Sequence, residues 1–472
     1  MVPLELTMIA VVLPRLEHDL GLGLAGGAWV IDSYMVAFAS LLLVAGALAD
    51  RLGRVRTLLV GAALFGVSSA LCGAAEAAWV LLVGRTAQGL GAALTMSAGL
   101  GALADRFRGG AARFRAFGVF TTAIGVGMAS GPTLGGFLSA AFGWRATFYV
   151  HAPTAMLASG MVLLSRVSDS RHTPSRRFDP FGTALATAAL ALVVSALIES
   201  GSLPNAWTAA LLVGGMTLGA FFVMVERRTE DAVFDFVLLR QPAFAGAQVT
   251  ALAYSSAFGA LLVFLPRVFE IPGERGSDTA WRAGMAMLPL TAPALIIPLF
   301  AARFARRMAP RAWLAGGLLI AAIGAVCIAA VLLREPAHIE SVSLTVVLAV
   351  TGAGFALSNA HLTNVVMAAI PLARAGVASG MNFTVRQASV ALGVAAAGRL
   401  YAPVAATSNA LAVADVCVAV SAVAFVGAAA AWNVGARCWP NDTDPEPRSS
   451  LVGVRDECAA PRVRGYRPAE HS

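Results

Sequence analysis

Apolar runs follow one another along this chain from its first residue to about Trp432, with short polar or charged breaks between them. A helix needs about 20 predominantly apolar residues to cross the roughly 30 Å hydrocarbon core of a bilayer, so each run predicts a spanning helix. The breaks place fourteen spans, at 1–16, 28–48, 58–75, 79–103, 114–138, 145–165, 181–199, 207–225, 244–266, 282–301, 312–333, 343–366, 375–399 and 408–432. Near-uniform Ala, Leu, Val and Phe between "ESGSLPN" and "ERRTED" supports two spans within 181–225. The first run reaches only roughly 24 Å at 1.5 Å per residue. Two accounts stand: a bilayer thinned around it, or, as favoured, a start upstream of Met1.

The spans group as six, two and six. This gives a first six-helix bundle over 1–165, a linker carrying two extra spans over 166–243, a second six-helix bundle over 244–433 and a tail over 434–472. The basic stretch "ALADRLGRVRTLLVGA" is echoed eight spans later by "FAARFARRMAPRAWLAGG" at 300–317, as expected of two related halves around a midplane site. The tail carries Pro, Asp, Glu, Arg and Ser without periodicity and reads as disordered.

Composition agrees with an all-α polytopic membrane protein. Of 472 residues, 58% are hydrophobic and 13% charged, against roughly 25% charge in an ordinary soluble domain. All 34 basic residues are arginine. Without lysine there is neither a P-loop lysine nor a Schiff-base nucleophile. The net charge of +8 lies in short loops between spans, which reads as topology and argues against nucleic acid. With the amino terminus in the cytoplasm, 25 arginines fall in cytoplasmic loops and tail, 6 in external loops and 3 within spans. This bias predicts both termini cytoplasmic in the cell membrane. Cys72, Cys327 and Cys417 lie in apolar runs, and Cys438 and Cys458 in the tail, so no disulfide framework is expected. No metal-ligand cluster, cofactor motif or catalytic constellation is visible. An enzyme is not predicted, and no cofactor is expected.

Charged residues inside so apolar a chain are the candidate chemistry. In the loop at 47–57, Arg51, Arg54 and Arg56 are placed to anchor at an anionic leaflet, and Gly53 to permit the reversal between two helices. Asp50 adds little to the topology bias and is free to hold a neighbouring Arg or a helix amino terminus. Arg85 sits within the fourth span, where a charge at the bilayer centre costs at least about 2.5 to 3.5 kcal/mol. It reads either as a snorkelling residue near a helix end or as part of a cavity, with Gln88 one turn later on the same face. Asp32 and Glu5 are the acids inside spans and the proton-carrier candidates. For Asp32 a solvated cap near the external surface is the alternative. Glu199 and Asp415 fall near external ends and read as solvated, and Glu76 as part of a turn. The fifth span collects Gly125, Gly127, Gly131, Pro132, Gly135 and Gly136, a pattern for close helix approach with a proline kink. In the second half Asn359, His361, Asn364, Asn382, Arg386 and Gln387 are intramembrane polar residues. Asn359, Asn382, Arg386 and Gln387 form a candidate second polar site, while His361 alone reads as a hydrogen-bonded core residue. Pro289, Pro293 and Pro298 predict a broken tenth helix.

Several of these stretches, in order along residues 1–433, resemble the major facilitator superfamily. "GALADRLGRVRT" is similar to its loop signature, "GRTAQGLGAAL" to its fourth-span signature and "GVGMASGPTLGG" to the fifth-span signature of its antiporters. "WVIDSY", "GWRATFYVHAP" and "GMNFTVRQASVALGV" resemble the fourteen-span drug/proton antiporter branch of EmrB/QacA type. Glu5, in "LELTMIAVVLP", stands where the pattern LDxTIVNVALP has Asp. The resemblance implies two pseudo-symmetric six-helix bundles with two central extra spans, and a monomer that expels a drug, antibiotic or natural product as protons run inward through the bilayer. It implies that Arg85 lines a central cavity and acts in proton coupling with Asp32 or Glu5. Asp50, Arg51 and Arg54 would latch the inner gate, and the glycine helix would seal the halves. It associates "NFTVRQ" with helix packing and the inner gate. A uniporter or importer on the same fold, and a non-transporting sensor, are the alternatives.

Overall fold

The computed structural model describes residues 1–107, 110–165, 180–228, 234, 236–269, 278–304, 310–334, 341–368, 375–405 and 407–438. These residues are helical throughout, apart from short turns and connecting loops. The first half comprises α1 (Val2–Asp19), α2 (Leu24–Leu52), α3 (Arg54–Gly73), α4 (Ala78–Arg106), α5 (Gly110–Phe142), the single-turn α6 (Arg145–Tyr149) and α7 (His151–Leu164). A hairpin of α8 (Pro180–Ile198) and α9 (Asn205–Glu226) follows. The second half holds α10 (Pro242–Phe264), α11 (Asp278–Ala286), α12 (Leu288–Thr291), α13 (Pro293–Phe304), α14 (Pro310–Arg334), α15 (Val342–Ala368), α16 (Ala375–Ala405) and α17 (Asn409–Cys438).

Every apolar run read from the sequence falls on one of these helices or on a pair or triplet in line. Among the described residues, eleven helical stretches are long and apolar enough to cross a membrane. The runs at 1–16, 79–103 and 114–138 are not among them. In α1 the residues Glu5, Arg15 and Glu17 share 18 positions. Helices α4 and α5 dilute their apolar content with Gly, Ser and Thr, and α4 carries Arg85. These least hydrophobic segments pack inward, where small residues let backbones approach.

Within the first half α3 and α2 pack on α4, α1 on α5, and α7 on α3; within the second, α14 packs on α17 and α15, and α10 on α16 and α17. The halves meet where α2 lies on α16 and where α5 lies on α11, α12 and α13. The extra helix α8 touches both α2 and α16, straddling that seam, and α9 packs on α8. Side chains such as Leu164, Met216 and Val342 point outward at 84%, 70% and 79% exposure, as expected where lipid is the solvent. Gly53 closes α2 and opens α3 at φ +102°, backbone that favours glycine. The tenth span is broken as predicted into α11, α12 and α13, with Pro289 and Pro293 at the starts of the second and third, while Pro298 lies inside α13 without ending it. The tail beyond 438 and the loop 166–179 lie outside the described residues, as do 305–309 of the basic echo and the side chain of Asn364.

Candidate functional site

Helix α4 is built to approach its neighbours closely. A Cβ at Gly91 would lie 2.6 Å from the Phe65 backbone nitrogen of α3, and one at Gly89 would collide with the Tyr34 carbonyl of α2. The resulting contact drives Arg85 into the first bundle, where it is fully buried. Its guanidinium forms an ion pair with Glu5 of α1, donates from Nε to the Val30 carbonyl at 2.8 Å and from Nη1 to Gln88 Oε1 at 2.6 Å. The Tyr34 ring lies 4.5 Å from the guanidinium carbon and that of Phe148 5.9 Å. Nη2 is buried without a partner among the described residues.

Glu5 joins two basic groups. One carboxylate oxygen faces Arg85, and the other lies 2.5 Å from Nε2 of His151, at the start of α7. Gln88 continues the network by donating to Ser69 Oγ at 2.7 Å. Glu5, Arg85, Gln88, His151 and Ser69 are all buried, so α1, α3, α4 and α7 converge on one carboxylate. The snorkelling account of Arg85 therefore fails, because the side chain turns into the bundle.

Asp32 does not share this network. It lies on the ninth residue of α2, fully buried, with neither carboxylate oxygen hydrogen-bonded among the described residues. The surface-cap alternative falls with that burial. Glu199 is half-buried: one carboxylate oxygen accepts from Trp29 Nε1 at 3.0 Å, tying the end of α8 to α2, while the other accepts from the exposed Ser202.

In the 47–57 loop Arg54 takes the central part. It pairs with Asp50 and with Asp105, each at 2.8 Å, and donates to the Gly101 carbonyl at 2.5 Å. Arg51 is exposed. Among the described residues these contacts bind the adjoining ends of α2, α3 and α4, all in the first half.

The glycines of α5 face two ways. A Cβ at Gly131 would collide with Thr7, and one at Gly135 would stand 2.9 Å from the Met8 carbonyl, both on α1. A Cβ at Gly136 would be 2.5 Å from the Ala280 carbonyl, and one at Gly125 2.9 Å from that of Ala294, both in the second half. Pro132 lies within the helix, and its carbonyl faces Gly284. In the second half Arg386 donates to Asn359 at 2.8 Å, Asn382 to Gln248 at 3.4 Å, and Gln387 reaches the Met35 sulfur of α2 at 3.7 Å. His361 stacks on Trp313, and its Nε2 is buried without a hydrogen bond among the described residues.

Sequence reasoning missed His151, Ser69 and Tyr34 as companions of Arg85, and Asp105 as a partner of Arg54. A histidine inside a span was available as a signal at "YVHAP". It also missed Glu17 with Arg267. Glu17 lies just beyond the span placed at 1–16, but α1 continues through it to Asp19. Its carboxylate takes two hydrogen bonds from Arg267, at 3.0 and 2.5 Å.

The Major Facilitator Superfamily profile matches residues 1–394. The chain is 32% identical over 407 residues to Multidrug resistance protein Stp of Mycobacterium tuberculosis, covering 85% of this chain and 74% of that one. It is 30% identical over 458 residues to the Methylenomycin A resistance protein of Streptomyces coelicolor, covering 96% and 92%. It is also 30% identical over 411 residues to the Tetracenomycin C resistance and export protein of Streptomyces glaucescens, covering 85% and 74%. Among solved structures, the peptide transporter POT in complex with sulfate superposes at TM-score 0.65 and 16% identity, over 92% of this chain and 93% of that one, a likeness of fold.

Proposed function

Because the chain belongs to the Major Facilitator Superfamily, we propose that it exports small organic molecules such as drugs, antibiotics or natural products in exchange for protons. The names of the resistance and export proteins that it resembles support the cargo class. It acts as a monomer of the fourteen-span EmrB/QacA type in the cytoplasmic membrane, with both termini cytoplasmic, and its partners are the substrate, protons and the bilayer. The proton gradient stands in place of a cofactor.

One observation carries the coupling: the buried carboxylate of Glu5 is shared by Arg85 and His151. A proton arriving on Glu5 ends its charge attraction to Arg85 and leaves a cation buried among Tyr34, Phe148 and Gln88. Breaking such a pair is worth roughly 3 to 5 kcal/mol, enough to bias which packing of α1 against α4 is preferred. Each charge crossing 100 mV supplies about 2.3 kcal/mol, so one or two protons match the demand. Asp32, unpartnered on α2, serves as a second proton or substrate group. The test is uptake of fluorescent substrates into inside-out proteoliposomes under an imposed pH gradient. Wild-type uptake should collapse with a protonophore, and Glu5→Gln should lose gradient-driven uptake. Protonophore-insensitive uptake would favour a uniporter, and undiminished pH-driven uptake by Glu5→Gln would overturn the role of the pair.

A further inference from the structure

Two arginines are buried among the described residues, and a third, Arg386, lies half-buried deep in its helix without their kind of partner. Arg85 is paired with Glu5 and Arg267 with Glu17. Arg386 has no acidic partner among the described residues. It lies on the twelfth residue of the 31-residue helix α16, about 18 Å along it at 1.5 Å per residue, well away from either end. Its hydrogen bond goes to the neutral Asn359 Oδ1 on α15. The rings of Tyr254 on α10 and Phe383 on α16 lie 5.2 and 5.9 Å from its guanidinium carbon. Behind Tyr254, Phe258 stacks at 5.9 Å and Phe355 meets both edge-on.

The guanidinium faces α10 and α15 rather than lipid, yet Arg386 and Asn359 are only half-buried. The next residue, Gln387, reaches Met35 across the seam between the halves. A charge this deep in a membrane protein normally pairs or lines a water-filled cavity. Two aromatic rings flank the fork, and among the described residues one of its five N–H donors is engaged, by Asn359.

Resting on the export function above, we infer that Arg386 is a substrate anchor and that the cargo is a planar aromatic molecule bearing a carboxylate or comparable oxyanion. The anion takes the open edge of the guanidinium as a charge-assisted, two-point hydrogen bond. Its ring system lies against Phe383, the less buried of the two rings that flank the guanidinium. Asn359 positions the guanidinium and offers no competing charge.

The experiment compares export of a planar aromatic anion, fluorescein, with that of a planar aromatic cation, ethidium, in wild type, Arg386→Gln, Arg386→Lys and Asn359→Asp. All are checked for thermal melting and monodisperse elution. Wild type exports fluorescein. Arg386→Gln lowers that export at least about tenfold, the loss of roughly one charge-assisted bond, and leaves ethidium export, if any, unchanged. Arg386→Lys falls between, because it keeps charge but loses the fork. Asn359→Asp retains the arginine and occupies it internally, so it lowers fluorescein export on a folded protein. Export of ethidium alone by wild type overturns the anchor while leaving export intact, and so does a variant effect equal on both dyes or absent on fluorescein. Wild type that moves neither dye under a pH gradient overturns the export function along with it.

Discussion

At the scale of single residues, the two buried acids of the first half are opposites. Glu5 is surrounded by groups that need its charge; Asp32 has none. Glu5→Gln should therefore lower stability, by roughly 3 to 5 kcal/mol, because it strands Arg85 in a buried site. Asp32→Asn breaks no hydrogen bond among the described residues and removes an unpartnered carboxyl, whose burial is unfavourable. It is expected to melt at or above the wild-type temperature while substrate export falls. Thermal melts in detergent beside proteoliposome transport separate the two, and a large destabilisation by Asp32→Asn would show that it has a partner. The sequence made Glu5, Asp32, Arg85 and Gln88 visible because ionisable groups in apolar runs are rare. It could not assign partners: His151 is 146 positions from Glu5, and only the folded bundle brings the start of α7 to α1.

At the scale of helices, hydropathy read the ends of most elements well, since alternation of apolar runs with arginine-rich breaks is a one-dimensional signal. It read α1 poorly. Glu17 and its neighbours look like a loop by composition and become helix because Arg267 meets the carboxylate from the other half. The glycine helix α5 was legible as a close-packing element, but not as one with two faces. Those faces give different expectations. Gly135→Ala adds a methyl against Met8 of α1, within one half; Gly136→Ala adds one 2.5 Å from the Ala280 carbonyl, between halves. Overpacking of this kind costs about 1 to 3 kcal/mol. Gly136→Ala should prop the halves apart and raise passive proton leak in liposomes, measured with an entrapped pH dye, whereas Gly135→Ala should lower stability with little leak. Equal leak from both would show that the seal does not run along the Gly136 face.

At the scale of the whole molecule, export requires two packings of the halves that exchange which side is open. Among the described residues the Glu17–Arg267 pair is a charged contact that bridges them at the end where α1 turns into α2, the end that the proposed orientation puts outside. Its setting ties several elements. Arg267 lies 5.5 Å from the Tyr401 ring and 5.8 Å from that of Phe264, and Asn409 donates to its carbonyl at 3.2 Å. Gly27 of α2 leaves room for Glu17, since a Cβ there would collide with the carboxylate. A pair that parts when this end opens stabilises the closed packing and not its opposite. A ligand or contact shifts a two-state equilibrium only by its difference between the states, and an ion pair present in one state alone is such a difference. Glu17→Gln and Arg267→Gln should each raise the population open at this end, read as longer spin-label distances across the mouth. Because each single change strands a buried charge, folding must be separated from gating. The exchanged pair Glu17→Arg with Arg267→Glu does this by restoring attraction with reversed polarity. It should recover the closed population that both single variants lose, and an exchanged pair as open as either single variant would show that the bridge is packing rather than a lock.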